Sequence, residues 1–197
     1  MNQDLLHQLQ EHGFTHEEIA EVCELVSPLE LPTRHILVNQ GDRPSHVYFL
    51  LDGLCHSCYL TEDGKSFSKE FYWEQDWIIG FESLINDQPS PFLLESLTAV
   101  SLLCIPIDAL RIWREEANPL YIKLLETQLI YKESKERFML LYSPEERYEI
   151  FCSHYPDLES RLTDYQIAAY LGITHISLSR IKSRLKAKGV LTIVNDC

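Results

Sequence analysis

Near the C-terminal end of the chain, apolar residues recur at helical spacing on both sides of a glycine. Thr163 and Gln166 have the spacing of a capping box, which predicts that a helix begins there. Gly172 predicts its end, because glycine readily takes the left-handed backbone of a tight turn. Thr174 can cap a second helix, which also has an apolar face. The inward residues of the two helices are Ile167, Ala168, Leu171, Leu178, Ile181 and Leu185. This pattern is typical of a helix-turn-helix.

The outward positions of the second predicted helix carry polar and basic side chains, which suit contact with DNA bases and phosphates. They are His175, Ser177, Arg180, Lys182 and Arg184. The alternative is an ordinary surface hairpin whose charges merely solvate it. We favour the helix-turn-helix, because the small residue, the glycine and the apolar residues all fall at the positions that this motif requires.

Two other patterns lie towards the N-terminus. Residues 4–26 have helical periodicity, with a capping box from Thr15 to Glu18. From about residue 29 to residue 107, short apolar runs are separated by turn signals roughly every ten residues, which predicts a small β sandwich or barrel. Residues 46–60 form the clearest pair of strands.

A long helix is predicted between the strands and the helix pair. Asn118 and Pro119 supply a cap and a first-turn proline, and nothing breaks the helix before the capping box that starts at Ser143. One stripe contains Tyr121, Leu124, Gln128, Tyr131 and Phe138. An adjoining stripe contains Ile122, Leu125, Leu129 and Met139. Such a helix can pack on the barrel with one stripe and on a second copy with the other, so we expect a homodimer and take the first stripe as its candidate interface. The alternative is that both stripes pack within one chain.

Charge is distributed unevenly along the chain. The whole chain has a formal net charge of −13. Residues 161–188 contain six basic residues and one acidic residue, so this segment carries +5 and the remainder carries −18. A basic module on an acidic body favours nucleic-acid binding through that module alone. No apolar run reaches the length of a membrane span and the N-terminus does not resemble a signal peptide, so we expect no membrane association and a cytosolic location.

The six cysteines are scattered without the spacing of a zinc finger, and in a reducing compartment they are most simply free thiols. Cys55 and Cys58 are the only close pair, and in a strand they would face opposite sides. None of the eight histidines forms a His-x-His motif, which argues against a cupin-like metal enzyme. We therefore predict no metal site and no catalytic residue.

The order of these elements, with Gln40-Gly41-Asp42 and Asp52-Gly53 in the barrel, resembles the Crp/Fnr superfamily of bacterial transcription regulators. The resemblance covers about residues 20–194 and implies an α+β fold. It implies a jelly-roll domain like those that bind cyclic nucleotides at 1–117, a dimerisation helix at 118–142, and a winged helix-turn-helix domain at 143–197. Residues 189–196 resemble the β-wing of that family.

The resemblance also places an effector pocket, whose candidate residues here are Gly80, Phe81, Glu82, Ser83, Ser90 and Phe92. Relatives that bind cyclic nucleotides hold the ribose with a Gly-Glu pair and the phosphate with an arginine. No arginine lies between Arg43 and Arg111, and an unpaired buried phosphate would be costly. The Thr-Ser pair with which such relatives contact the base aligns near Lys132 and Glu133 and is also missing.

We therefore do not expect cyclic AMP to bind, and we predict no cofactor. Lys65 and Lys69 could replace the arginine, although two solvated lysines are the simpler interpretation. Other inputs of the superfamily also lack support, because only Cys23 precedes the barrel where an iron-sulfur branch has several cysteines, and nothing identifies a haem ligand among the candidates His46, His56 and Cys104. The cavity would then be filled by four apolar side chains: Phe81, Leu84, Phe92 and Leu94.

The same resemblance assigns roles in the helix-turn-helix. The implied base-reading residues are His175, Ile176 and Arg180, and the implied phosphate contacts are Thr163, Thr174, Ser177 and Lys182. We expect a dimeric transcription regulator that binds a palindromic site in double-stranded DNA, with RNA polymerase as a further partner. The alternative is a protein-interaction or small-ligand sensor module that has lost DNA binding.

Overall fold

The computed structural model describes residues 3–187, and the predicted wing lies outside these residues. The chain divides into two compact units. The first contains the residues up to Lys65 together with Lys69–Tyr131, and the second contains Ser66–Ser68 together with the residues from Lys132 onward. No helix within residues 3–187 is long and apolar enough to cross a membrane.

Two helices begin the first unit: α1, Gln3–Glu11, and α2, His16–Leu25. The predicted capping box at the start of α2 is confirmed, since Thr15 N donates to Glu18 Oε2 (2.7 Å) and Glu18 N donates to Thr15 Oγ1 (3.2 Å). Leu5 and Leu9 of α1 are fully buried in the first hydrophobic core of the unit.

Eight strands follow, as the turn spacing predicts. They are β1 Ser27–Leu31, β2 Ile36–Val38, β3 His46–Asp52, β4 Cys55–Leu60, β5 Ser66–Tyr72, β6 Trp77–Ile78, β7 Leu93–Ser96 and β8 Val100–Pro106. They form two four-stranded sheets with the orders β1-β8-β3-β6 and β2-β7-β4-β5. Three helices lie among and after these strands along the chain: α3 Phe81–Asn86, α4 Ile107–Glu115 and α5 Pro119–Leu141. The α+β prediction is confirmed.

The two strands at 46–60 are present, but they do not pair with each other, because β3 and β4 belong to different sheets. The turn between them contains Gly53, whose φ of +96° favours glycine. A side chain at this position would also collide with the backbone oxygen of Ala99. The turn therefore passes the chain from one sheet to the other at a place with no room for a side chain.

Helix α5 begins with the predicted cap, since Leu120 N donates to Asn118 Oδ1 (2.9 Å). Its first stripe packs within the first unit, where Tyr121 is buried in the hydrophobic core, Leu124 packs against that core, and Gln128 Nε2 donates to Glu70 (3.3 Å). These three residues are therefore not the exposed seam that the dimer prediction requires. The adjoining stripe is exposed instead, with Leu129 60% and Ile122 41% accessible.

The remaining residues of the first stripe, Tyr131 and Phe138, are also partly buried. In the second unit, the Phe138 ring packs on Tyr142 and Tyr170, with centroids 6.4 Å apart in both pairs. A helix that covers a core must bury one stripe, and periodicity alone does not tell which of two adjoining apolar stripes that is.

Four shorter helices follow in the described part of the second unit: α6 Pro144–His154, α7 Pro156–Arg161, α8 Asp164–Tyr170 and α9 His175–Ala187. The predicted capping box at the start of α6 is confirmed, since Ser143 N donates to Glu146 Oε2 (2.8 Å). Tyr148 and Phe151 of α6 are almost fully buried and form part of the core of this unit. The sequence pattern did not reveal α7, which has only six residues.

Candidate functional site

Helices α8 and α9 form the predicted helix-turn-helix. Thr163 N donates to Gln166 Oε1 (2.8 Å) and Gln166 N donates to Thr163 Oγ1 (3.4 Å), so the capping box is confirmed. Gly172 has a φ of +67° in the turn, and Thr174 Oγ1 accepts from Ser177 N (3.1 Å) at the start of α9. All six predicted inward residues are buried: Ile167, Ala168, Leu171, Leu178, Ile181 and Leu185.

The outward face of α9 presents two of the three predicted base-reading residues to solvent. Ile176 is 63% exposed and Arg180 is also exposed. No ion pair of Arg180 is present within residues 3–187, so its guanidinium is not held by a carboxylate there. An apolar side chain and a guanidinium on one helix face can contact a thymine methyl group and a guanine edge.

His175 is half-buried, and its ring stacks on Tyr165 of α8. The ring centroids are 4.2 Å apart and the planes are nearly parallel, at 8°. Tyr165 is itself strongly exposed, so the stack lies at the surface at the start of α9. The sequence analysis did not select Tyr165. Its place two residues after the cap of α8 is the signal that could have drawn attention to it.

Lys182 is placed differently from the prediction. Its Nζ lies 2.6 Å from Asp164 Oδ1 of α8 and 3.5 Å from Glu159 Oε1 of α7, and only 29% of the side chain is exposed. Burial alone would lower the pKa of Lys182, but the hydrogen bond and charge of Asp164, with the charge of Glu159, raise it above its ordinary value. Lys182 therefore joins α9 to its supporting helices, and its phosphate contact stays a prediction.

The hydroxyl groups proposed for phosphate contacts are partly used by the helix caps. Thr163 Oγ1 donates to Gln166 Oε1 (2.8 Å), so its proton already has an acceptor. Thr174 Oγ1 and Ser177 Oγ lie 2.9 Å apart, and one hydroxyl proton bridges this pair. The other proton is left to donate outward at the N-terminus of α9, where the helix dipole favours an anion.

The candidate effector pocket lies in the first unit, around α3. Gly80 precedes α3, and Phe81, Glu82 and Ser83 form its first turn. Ser83 and Ser90 are buried, and the Ser90 hydroxyl donates to the carbonyl oxygen of Phe92 (2.7 Å). The backbone of Ser90 also bonds to the turn before β3, through Gly41 N to Ser90 O and Ser90 N to Asp42 O, both 2.8 Å.

Polar groups of this chain meet next to the pocket. Glu70 is only 7% exposed, and its Oε2 lies 3.2 Å from Lys69 Nζ and accepts from Tyr72 Oη (3.2 Å). Lys69 Nζ also lies 4.5 Å from the centroid of the Phe92 ring. Lys69 is thus a buried partner of Glu70, which corrects the interpretation of a solvated lysine, whereas Lys65 is exposed and bonds to Asp63 as expected of a surface residue.

Two tyrosines of this region lie near carboxylates. Burial raises the pKa of Tyr59, and the charges of Glu82 and Glu70 raise it further. Burial also raises the pKa of Tyr72 well above its ordinary value, with Glu70 adding to the effect. Glu70 therefore acts on both phenols, while its own charge is paired with Lys69.

The four residues predicted to fill the cavity divide between two cores. Leu84 belongs to the core that receives α1 and α2, and Phe81 packs against that core with its ring edge-on to Tyr121 (6.0 Å). Phe92 and Leu94 belong to the core between the two sheets. Only the latter pair therefore fills the barrel interior, because the first turn of α3 directs Phe81 and Leu84 to the other core.

Residues 28–116 match the family model of the cyclic nucleotide-binding domain. Among known proteins, regulatory protein HlyX of Actinobacillus pleuropneumoniae is 24% identical over 94% of this chain and 80% of its own length. The similar solved structures include FixK2 from Bradyrhizobium japonicum, with a TM-score of 0.70 at 19% identity over 87% of this chain and 89% of FixK2. A Crp/Fnr-family regulator from Eubacterium rectale has a TM-score of 0.72 at 13% identity over 94% of this chain and 89% of its own. At these identities the solved structures establish the fold.

Proposed function

We propose that this Crp/Fnr-type transcription regulator binds a palindromic site in double-stranded DNA as a homodimer, and that cyclic AMP does not control it. In this proposal residues 1–117 form the sensor domain, residues 118–142 the dimerisation helix, and residues 143–197 the DNA-binding domain. The observation that carries the proposal is the solvent-facing surface of α9, where Ile176 and Arg180 are free to enter a major groove.

The electrostatics of α9 support a specific role for Arg180. Two of the basic residues in this helix are engaged, Lys182 with Asp164 and Glu159, and Arg184 with Glu145 (2.9 Å). Arg180 has no such partner in the described part of the chain. It can therefore bind a guanine edge without first breaking an ion pair.

The exposed stripe of α5 supports the dimer. Ile122, Leu125 and Leu129 follow steps of three and four and remain accessible, while the neighbouring stripe is buried at Tyr121 and half-buried elsewhere. An apolar stripe of this spacing is the kind that packs against a second helix. A dimer would supply the second α9 that a palindromic site requires.

The lack of a cation for the phosphate supports independence from cyclic AMP. No arginine of the segment 44–110 is available to neutralise a cyclic phosphate placed beside Phe92. Lys69, whose Nζ lies over the Phe92 ring, is already paired with Glu70. We expect no change in the thermal unfolding midpoint on adding cyclic AMP in large excess, and a concentration-dependent rise would contradict this part of the proposal.

The experiment that tests the proposal is selection of bound sequences from a pool of random duplexes, followed by gel shift at several salt concentrations. We expect enrichment of a palindrome that contains guanine, and an affinity that falls steeply as salt increases. A pool without an enriched palindrome would overturn the proposal. Failure to bind any duplex at low salt would instead support the interaction-module alternative.

A further inference from the structure

Three side chains of metal-ligand type meet on one face of the second sheet. Strands β4 and β7 are antiparallel neighbours, and His56 lies directly opposite Glu95 in their register. Cys58 is two residues beyond His56 in the same strand, so both side chains point to the same face. The three potential ligand atoms lie within 4.8 Å of one another.

The geometry is close to that of a metal site. His56 Nδ1 and Glu95 Oε1 are 3.6 Å apart. Two ligands at zinc distances and a tetrahedral angle are separated by roughly 3.3 Å, so this pair requires only a small side-chain adjustment. The sheet fixes the backbone of all three residues, so little backbone entropy would be lost when a metal ion binds.

The surroundings favour a bound ion over a solvated cluster. His56 is 6% exposed and Cys58 is 3% exposed, while Glu95 retains partial access. The His56 ring stacks on Phe71 with centroids 5.0 Å apart and planes at 27°, which restricts the orientation of the imidazole. Ring orientation is the feature that outer partners of metal-binding histidines usually provide.

We propose that His56, Cys58 and Glu95 form a binding site for a thiophilic divalent cation of the Zn²⁺ type. A thiolate sulfur, an imidazole nitrogen and a carboxylate oxygen suit such an ion, whereas Ca²⁺ and Mg²⁺ require sets of oxygen ligands. Binding replaces the thiol proton of Cys58 with the metal and releases that proton to solvent. Three protein ligands leave a fourth position for water.

The chain supplies a matched control in Cys55. It lies in the same strand three residues before Cys58, but it belongs to the core between the two sheets and is fully buried there. Burial raises the pKa of the Cys55 thiol to about 12, so this cysteine is a poor source of thiolate. A substitution at Cys55 therefore removes one thiol from β4 without touching the proposed site.

The test is titration of the metal-depleted full chain with Co²⁺, which gives a thiolate charge-transfer band when it is bound through cysteine. We expect one equivalent of Co²⁺ to produce this band, and one equivalent of Zn²⁺ to abolish it by displacement. Cys58→Ser should lose the band and Cys55→Ser should keep it. The absence of a band in the unmodified chain, or an unchanged band in Cys58→Ser, would overturn the proposal.

A second variant covers the case in which Cys58→Ser does not fold. Glutamine has the same size as glutamate, and Glu95 is not fully buried, so we expect Glu95→Gln to fold. The substitution replaces the charged carboxylate ligand with a neutral amide. We expect it to keep the charge-transfer band but to bind Co²⁺ at least tenfold more weakly, and an unchanged affinity would exclude Glu95 from the site. These measurements use no DNA, so their failure would leave the proposed DNA-binding function intact.

Discussion

Arg180 is the residue on which the proposed sequence recognition depends most. We predict that Arg180→Ala weakens binding to the selected palindrome by about 1–3 kcal/mol and relaxes the preference at one base pair, because a bidentate contact to guanine is lost. The measurement is gel shift on the selected site and on its single-base variants.

The control for Arg180 is Lys65→Ala, which removes one positive charge from an exposed residue of the first unit. This variant should retain the affinity and base preference of the unmodified protein. An equal loss of affinity for selected and scrambled duplexes in Arg180→Ala would mean that Arg180 contacts only phosphate.

Asp76 makes stability depend on pH. Burial raises the pKa of its carboxyl group to about 6; the hydrogen bond from Trp73 N (3.0 Å) opposes this shift, and the charges of Glu70 and Glu74 add to it. The folded protein therefore holds this proton to a higher pH than the unfolded chain does. The free energy of unfolding should decrease as pH rises from about 4 to about 6.

We predict that Asp76→Asn removes this slope and is more stable than the unmodified protein at pH 7 by about 1–2 kcal/mol, since an amide oxygen can still accept from Trp73 N and carries no charge. Urea unfolding at pH 5 and pH 7 measures the difference. Asp52→Asn, at an exposed position, should leave the slope unchanged. Equal slopes in Asp76→Asn and the unmodified protein would contradict the prediction.

Single residues also show where prediction from sequence reaches its limit. The sequence shows the charges of Lys69 and Lys182, but it does not show whether a carboxylate pairs with them. Asp164 is 18 positions from Lys182. Glu70 is the next residue after Lys69, but the burial of both side chains, which favours their pairing, depends on the fold.

At the scale of elements, local signals were reliable and long-range ones were not. The capping boxes at Thr15, Ser143 and Thr163 all formed, because a capping box needs only residues three apart. The candidate metal ligands show the opposite case. His56 and Cys58 share a face through strand alternation, but the contribution of Glu95 depends on the pairing of β4 with β7. The sequence also did not reveal that β3 and β4 lie in different sheets, because strand pairing depends on residues far apart in the chain.

Helix α5 gives a prediction about the dimer. We predict that Leu129→Lys yields a monomer, because it places a charge in the exposed apolar stripe of a helix that would otherwise pair with its copy. Thr127→Lys is the control, since it adds the same charge at an exposed position about 160° around the helix. Light scattering of both variants measures the molar mass. A dimer that survives Leu129→Lys would place the interface elsewhere.

At the scale of the whole molecule, charge and symmetry act together. The acidic remainder of the chain would repel duplex DNA, so the proposed binding would depend on the basic segment 161–188. Within the described part of this segment, Lys182 and Arg184 are already paired with carboxylates. The proposed function therefore expects high affinity only when two copies bind one duplex, joined through the proposed dimer.

This requirement makes the spacing of the half-sites decisive. An insertion of five base pairs between the halves of the selected palindrome turns one half by about half a helical turn, so that two linked α9 helices cannot enter both grooves from one side. We predict that the unmodified protein then binds no more tightly than it binds a single half-site.

Leu129→Lys should bind the original palindrome, the lengthened palindrome and the single half-site with similar affinity, since a monomer has no second helix to place. Gel shift with these three duplexes measures both effects. Equal affinity of the unmodified protein for the original and lengthened palindromes would show that the two reading helices are not rigidly linked.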